Sequence, residues 1–226
     1  MPDPQTQSNR WHARQSDEAL LELESSSAGL SHEQARQRLL QYGPNRLDEA
    51  KPASVWQRLL RHLNNLLLYV LIAAALVTGL MGHLVDTFVI LAVVVVNVVI
   101  GFVQEGKAEK ALQAIRHLLA PHAVVLRDGR QQDLDAAELV PGDVVLLASG
   151  DSLPADVRLL QARNLRIDEA ALTGESVPVD KQVDAVADDA AIGDRICMGY
   201  AGTLVTQGQA RAVVVTTGAA TEIGRI

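Results

Sequence analysis

Between Leu63 and Val85 the chain carries no charged side chain, and from residue 66 to residue 104 it carries only Asp86. So long an apolar island must be covered, by lipid or by a large protein core. The run Leu66 to Met81, LLLYVLIAAALVTGLM, is broken only by small or weakly polar side chains. With its flanks it is long enough as a helix to cross ~30 Å of hydrocarbon. The second run, Thr87 to Val103, TFVILAVVVVNVVIGFV, holds 13 Val, Ile, Leu or Phe among 17 residues. At the helix centre those side chains contribute about -4 to -8 kcal/mol of insertion free energy, which outweighs Asn97 even if it costs ~3 kcal/mol. Strands fit poorly, because the runs are several times longer than an ordinary strand and lack turn signals. A helical hairpin buried in a large soluble core fits the same composition and stays open.

The charges around the island orient it. Lys51, Arg58 and Arg61 precede the first run and Lys107, Lys110 and Arg116 follow the second, whereas Gly82 to Asp86 has no Lys or Arg. Spans over 63–83 and 85–104 therefore leave both soluble segments on the cytoplasmic side. Residues 1–65 are balanced in charge, while residues 105–226 hold 12 basic against 18 acidic groups, giving most of the net -7. An acidic chain of this kind lacks the basic face of a nucleic-acid binder. Its single Cys197 forbids an internal disulfide and suits a reducing compartment, with burial as a small apolar side chain its expected role. His83 and Asp86 fall at the interface and read as a solvated loop pair. Asn97 reads as a helix-to-helix hydrogen bond rather than an ion ligand.

The organisation outside the island follows from local signals. The polar, Pro-containing MPDPQTQSNR reads as a disordered tail over 1–10, not a signal peptide. Within 11–62 the text GLSHEQARQRLLQYGPN predicts a helix capped by Ser31, boxed by Gln34 and stopped by Gly43 and Pro44. Ala35, Leu39 and Tyr42 share a face, which is expected to pack on the neighbouring segment Asp17 to Glu24. After the second run, QEGKAEKALQAIRHLL keeps helical spacing at Ala108, Leu112, Ile115 and Leu119 up to Pro121, a continuation of the membrane helix as a stalk. The period then shortens. AVVLRDGRQQ predicts two strands about an Asp128–Gly129 turn, DVVLL follows Pro141–Gly142, and GTLVTQGQARAVVVTTG predicts another hairpin built on Gly208. Residues 105–226 are thus expected to form a stalk and a compact all-β domain, a sandwich or jelly roll, giving a mixed fold overall.

One segment of the β domain departs from ordinary strand and turn writing: Asp168-Glu169-Ala170-Ala171-Leu172-Thr173-Gly174-Glu175-Ser176-Val177-Pro178-Val179, then Asp180 and Lys181. Gly174 permits a tight turn and Pro178 stiffens its exit, which would hold Glu175 at a loop tip. A carboxylate set there between a Thr and a Ser can position and deprotonate a water, provided an electrophile is brought to it. As a lone tetrapeptide, Thr-Gly-Glu-Ser is also an ordinary turn.

Its surroundings carry more. In order, GLSHEQARQRLLQYGPN, NVVIGFVQEGKAEKAL, VPGDVVLLASGDSLPADVRLL, DEAALTGESVPVDK and GAATEIGRI resemble the P-type ATPases over residues 11–226. The pairing of GLS with YGPN is similar to bacterial cation pumps of the calcium and sodium/potassium branch. The resemblance implies an ATP-driven cation translocase of the plasma membrane, the bacterial inner membrane, crossed more than once. It implies that residues 105–226 hold a jelly-roll-like actuator domain whose loop directs water onto an aspartyl phosphate. Carried over, Glu175 would position the attacking water, with Thr173, Gly174 and Ser176 shaping the loop. Asp143, Asp151, Pro154 and Asp156 also match the family's text, and read best as turn and cap residues that hold the β fold.

The departures matter as much. No Asp-Lys-Thr-Gly-Thr segment for the phosphorylated aspartate, no later Mg-binding aspartates and no nucleotide-binding domain occur in this text, and Asp180-Lys181-Gln182 only looks like the start of such a motif. The resemblance implies ATP and Mg2+ for a full-length pump, whereas this stretch by itself is expected to bind neither and to be inactive. Its implied partners are the lipid bilayer, the phosphorylation and nucleotide-binding domains, and the transported cation. Two other functions stay open: a non-catalytic membrane-anchored module or remnant that associates with full-length pumps, and a soluble β-domain hydrolase using Glu175, which lacks a partner carboxylate.

Overall fold

The computed structural model describes residues 10–47, 66–118 and 122–226. Residues 1–9 of the tail expected over 1–10, the flanking Lys51, Arg58 and Arg61, residues 63–65 of the first expected span, and Leu119 and Pro121 lie outside the described residues, whereas Arg10 is ordered by an ion pair with Asp188. The described residues fall into two compact units, one of residues 10–47 with 122–226 and one of residues 66–118.

The apolar island is helical over its described length apart from the turn at Met81, Gly82 and His83. Helix α3 spans Leu66–Leu80 and helix α4 spans Leu84–Leu118 (α1 and α2 lie nearer the N-terminus). Between them Gly82 adopts a left-handed conformation at φ 82. That conformation lets the His83 N–H reach the Thr78 carbonyl at 3.0 Å and the Gly82 N–H reach Gly79 at 3.1 Å, a Schellman stop. α4 then runs for 35 residues without a break, so the apolar segment and the expected stalk are one helix. Its stretch Leu84–Lys107 is long and apolar enough to cross a membrane, by length and composition, the one such helix among the described residues. Most of its described side chains are exposed, among them Phe88, Val89, Val95, Val96 and Val99, whereas the core helix of a soluble protein is mostly buried. The helices touch through a hydroxyl pair, Thr78 Oγ1 to Thr87 Oγ1 at 3.0 Å. Asn97, expected to bond across helices, instead donates to the Val93 carbonyl of its own helix at 3.4 Å. A polar side chain four residues from a carbonyl on the same helix finds that acceptor without a neighbour.

In the other unit seven strands form one antiparallel sheet: β1 His122–Arg127, β2 Arg130–Asp135, β3 Val144–Ala148, β4 Asp156–Asp168, β5 Val179–Asp180, β6 Met198–Gly199 and β7 Leu204–Thr216. The strand order is β2-β1-β3-β7-β4-β5, with β6 also paired to β4. The predicted turn is present, with Asp128 at φ 51 and Gly129 at φ 70, the twist a two-residue hairpin requires. Val213, Val214 and Val215 are all buried, although neighbouring strand residues face opposite sides. Val214 joins a core with Val125, Leu147, Val157 and Ile167, whereas Val213 and Val215 meet Trp11, Ala19, Leu23 and Tyr200. The N-terminal segment thus covers the second face of the sheet.

That segment holds helix α1, Ser16–Glu22, and helix α2, His32–Tyr42. Ser31 accepts the Gln34 N–H and the Gln34 side chain accepts the Ser31 N–H, and Gly43 ends α2, as the sequence predicts. The packing partner differs from expectation. Ala35 and Leu39 of α2 meet Val140 of the β domain and Leu30, which bridges to Arg127 of β1, rather than α1, and Tyr42 is exposed. The Arg38 guanidinium fixes this docking by donating to the Pro141 carbonyl at 2.8 Å.

Gly208 also departs from expectation. It makes no hairpin, because β7 is one strand of 13 residues lying along β4, also of 13. The pairing shifts between Arg163 and Arg166, where Asn164 at φ 48 bulges opposite Gly208 at φ 83. A Cβ on Gly208 would overlap the carbonyls of Arg163 and Asn164. Gly208→Ala is expected to destabilise the unit by about 2 kcal/mol or more. Gly129→Ala, with φ also positive but open space around it, should cost only about 1 kcal/mol. Equilibrium denaturation of the two variants side by side checks the order.

Candidate functional site

Thr173, Gly174, Glu175 and Ser176 lie in the segment that leaves β4 and returns as β5. Its entry is built by local hydrogen bonds. The Asp168 carboxylate accepts the Ala170 N–H at 2.9 Å and starts a single helical turn, Ala170–Thr173. The Glu169 carbonyl accepts the N–H groups of Leu172 and Thr173, both at 2.9 Å, and the Thr173 hydroxyl at 3.1 Å. Gly174 then turns left-handed at φ 78 and ψ 0, a conformation that favours glycine, while its N–H donates to Ala170 at 2.9 Å. The next N–H, that of Glu175, donates to the Thr173 hydroxyl oxygen at 3.3 Å. Thr173 therefore braces the turn from behind, receiving Glu175 and donating to Glu169.

Glu175, Ser176 and Val177 are exposed. Among the described residues no hydrogen bond or ion pair engages the Glu175 carboxylate. An unpartnered carboxylate on a braced turn has both oxygens available to a water or an incoming group. The return is fixed by β5, where Val179 pairs with Ile167 and Asp180 with Arg166. Asp180 also takes both arms of the Arg166 guanidinium, at 2.6 and 3.2 Å.

Beneath the loop lies a pair to which the sequence assigns no role. The Glu169 carboxylate and the Lys181 ammonium meet at 2.6 Å with both side chains fully buried. Apart from this contact, neither charged end has a hydrogen-bond partner among the described residues. Burial raises the Glu169 carboxyl, opposed by the charge of Lys181, and burial lowers the Lys181 ammonium, opposed by Glu169. The Tyr200 ring adds its face 6.0 Å from the ammonium. Opposite charges twelve residues apart around the loop are the one signal in the text that could have marked this pair. Asp180 and Lys181, the apparent start of a phosphorylation motif, are thus both engaged in holding the loop.

The other acidic residues matching the family's text hold the fold. Asp143 is buried and takes the Arg127 guanidinium with both oxygens, at 2.9 and 2.7 Å. Asp151 accepts the Ala148 N–H at 2.8 Å. Asp156 accepts the N–H groups of Ala201 and Glu222 at 2.9 and 2.8 Å and the Thr216 hydroxyl at 3.0 Å. Burial raises its carboxyl, with those hydrogen bonds opposing. The Pro154 carbonyl accepts from Asn45 at 2.9 Å, tying the chain after α2 to the sheet. His83 and Asp86 are 3.5 Å apart and exposed, in keeping with a solvated pair.

Comparison with known proteins covers both segments. Residues 117–226 match the P-type ATPase actuator domain and residues 11–78 match the N-terminus of the cation transporter/ATPase family. "Probable cation-transporting ATPase F" of Mycobacterium tuberculosis is 46% identical over 216 residues, covering 95% of this chain and 24% of that protein. "Calcium-transporting ATPase 1" of Bacillus cereus is 42% identical over 226 residues, covering 96% and 25%. "Cation-transporting ATPase pma1" of Synechocystis is 42% identical over 227 residues, covering 100% and 25%. The chain thus spans about a quarter of the length of these relatives.

Proposed function

The chain belongs to the P-type ATPase family, and from that premise we propose that it supplies the N-terminal region, first membrane hairpin and actuator domain of an ATP-driven cation pump. Residues 11–62 are its N-terminal region, 63–104 its two spans in the plasma membrane, and 105–226 its stalk and actuator domain, with both soluble parts cytoplasmic. The observation that carries the reading is the Glu175 carboxylate, exposed and unpartnered among the described residues on a turn that Thr173 braces. Brought against an aspartyl phosphate, Glu175 holds a water in line with the phosphorus and takes its proton as the acyl phosphate opens. Gly174 makes the turn, Thr173 fixes it, and Ser176 shapes its far side. In this reading the phosphorylated aspartate and the ATP and Mg2+ sites belong to other domains of the pump, and residues 1–226 contain no Asp-Lys-Thr-Gly-Thr segment.

Inverted membrane vesicles carrying the pump with these residues test the reading. ATP is expected to drive uptake of one of Ca2+, Na+ or K+, and Glu175→Gln is expected to abolish it while the protein stays in the membrane. If ATP moved none of the three, or if Glu175→Gln transported at the normal rate, the proposal would fail.

A further inference from the structure

The Glu169–Lys181 pair lies in neither a strand core nor a surface network. Glu169 is the last residue before the helical turn that lifts to Glu175, and Lys181 is the first after β5, where the loop comes back. The 2.6 Å contact joins these two feet beneath the loop, and the Lys181 N–H donates at 2.9 Å to the Leu165 carbonyl of β4. From Glu169 a short chain of bonds leads upward, its carbonyl accepting the Thr173 hydroxyl and that hydroxyl accepting the Glu175 N–H. Two charges are buried here with no further hydrogen-bond partner among the described residues, an arrangement that two apolar side chains of similar volume would match or exceed in stability. Stability alone does not account for it.

We propose that Glu169 and Lys181 are positioning residues, a buried tether that closes the base of the loop and fixes the direction in which Glu175 is presented. This rests on the reading of Glu175 as the water-directing group. An ion pair suits the task because a displacement of either foot leaves a charge unpaired in the protein interior, whereas an apolar contact can slide without such a penalty. The tether therefore stiffens the loop base against small shifts.

The test separates stiffness from stability. Single replacements, Glu169→Gln and Lys181→Met, leave one buried charge unpaired and impair folding as well. The decisive variant is Glu169→Leu with Lys181→Met, which removes the tether while filling the space. Val177 is 74% exposed and Cys197 is buried, so Val177→Cys, in a pump whose other accessible cysteines are replaced by Ser, accepts a spin label at the loop tip. In the whole pump, the double variant is expected to melt as the parent does and to form the phosphoenzyme to the same level. Its spin label should gain motion and its phosphoenzyme should decay about 10- to 100-fold more slowly, the penalty of a misaligned reacting group. A double variant with parental label motion and parental decay would overturn the tether. Glu175→Gln is measured alongside. If it left decay unchanged, the reading of Glu175 would fall, and label motion alone would decide the tether: added motion supports it and unchanged motion overturns it.

Discussion

Glu175→Gln in the pump is expected to leave phosphoenzyme formation at the parental level and to slow its hydrolysis by about 100- to 10,000-fold, the usual contribution of a positioned acid or base. The substitution keeps size and shape and changes only the capacity to hold and deprotonate a water. Because no partner engages the carboxylate among the described residues and the side chain is exposed, the change should alter stability by no more than about 0.5 kcal/mol. Loss of hydrolysis can then not be ascribed to loss of fold. Glu175→Asp gives the complementary reading: it keeps the charge but withdraws it by one methylene, so a positioning role predicts slow hydrolysis here too. Rapid-quench phosphorylation followed by a chase of unlabelled ATP resolves the two steps. Normal decay in Glu175→Gln would remove Glu175 from the reaction.

What could be read in the text was local. Ser31 with Gln34, Gly43 with Pro44, and Asp128 with Gly129 each specify their geometry within four residues, and all three appear as expected. The Glu175 turn belongs with them, since among the described residues Thr173, Gly174 and Glu175 bond only to one another and to Glu169 and Ala170. The features missed depend on partners distant in sequence. Gly208 looks like a turn residue because a turn and a close strand approach both call for a missing Cβ, and only the carbonyls of Arg163 and Asn164 distinguish them. The α2 face reads as apolar at Ala35 and Leu39, but nothing in its period says that Val140 covers it. Glu169 and Arg158 look like ordinary charged side chains until their burial is known.

Arg158 supports the second large prediction, a release of the N-terminal segment. Its side chain is wholly buried on the face of β4 that Trp11 and α1 cover. The guanidinium donates to the carbonyls of Trp11 at 3.1 Å, Arg14 at 2.8 Å, Val183 at 2.9 Å, Leu159 at 2.8 Å and Cys197 at 3.3 Å. Five N–H groups in a rigid fork thus meet five carbonyls from four separate stretches of chain. Burial lowers the pKa of the guanidinium, with Cys197 and Asp184 opposing that shift. Arg158→Met retains the apolar stem and leaves those carbonyls without their donor. Only the bonds to Trp11 and Arg14 reach the N-terminal segment, so at about 1 kcal/mol for each lost bond it should loosen by about 2 to 3 kcal/mol. Arg158→Lys, with three donors on one nitrogen, should recover part of this.

Cys197 provides the readout. It is the only cysteine in the chain, it is fully buried, and its thiol lies 3.3 Å from the His12 carbonyl under the same segment. When the segment lifts, the thiol meets solvent. A loss of about 2 to 3 kcal/mol raises the open population about 30- to 100-fold, at tenfold for each 1.4 kcal/mol, so thiol labelling under native conditions should accelerate by that factor in Arg158→Met. Proteolysis at Arg10 and Arg14 should accelerate with it. Labelling at the parental rate would mean that apolar contacts of Trp11, Ala19 and Leu23 hold the segment without the guanidinium. If instead labelling accelerates while the β core resists denaturation, the N-terminal segment is a separately released cover whose attachment to the sheet depends on one buried cation.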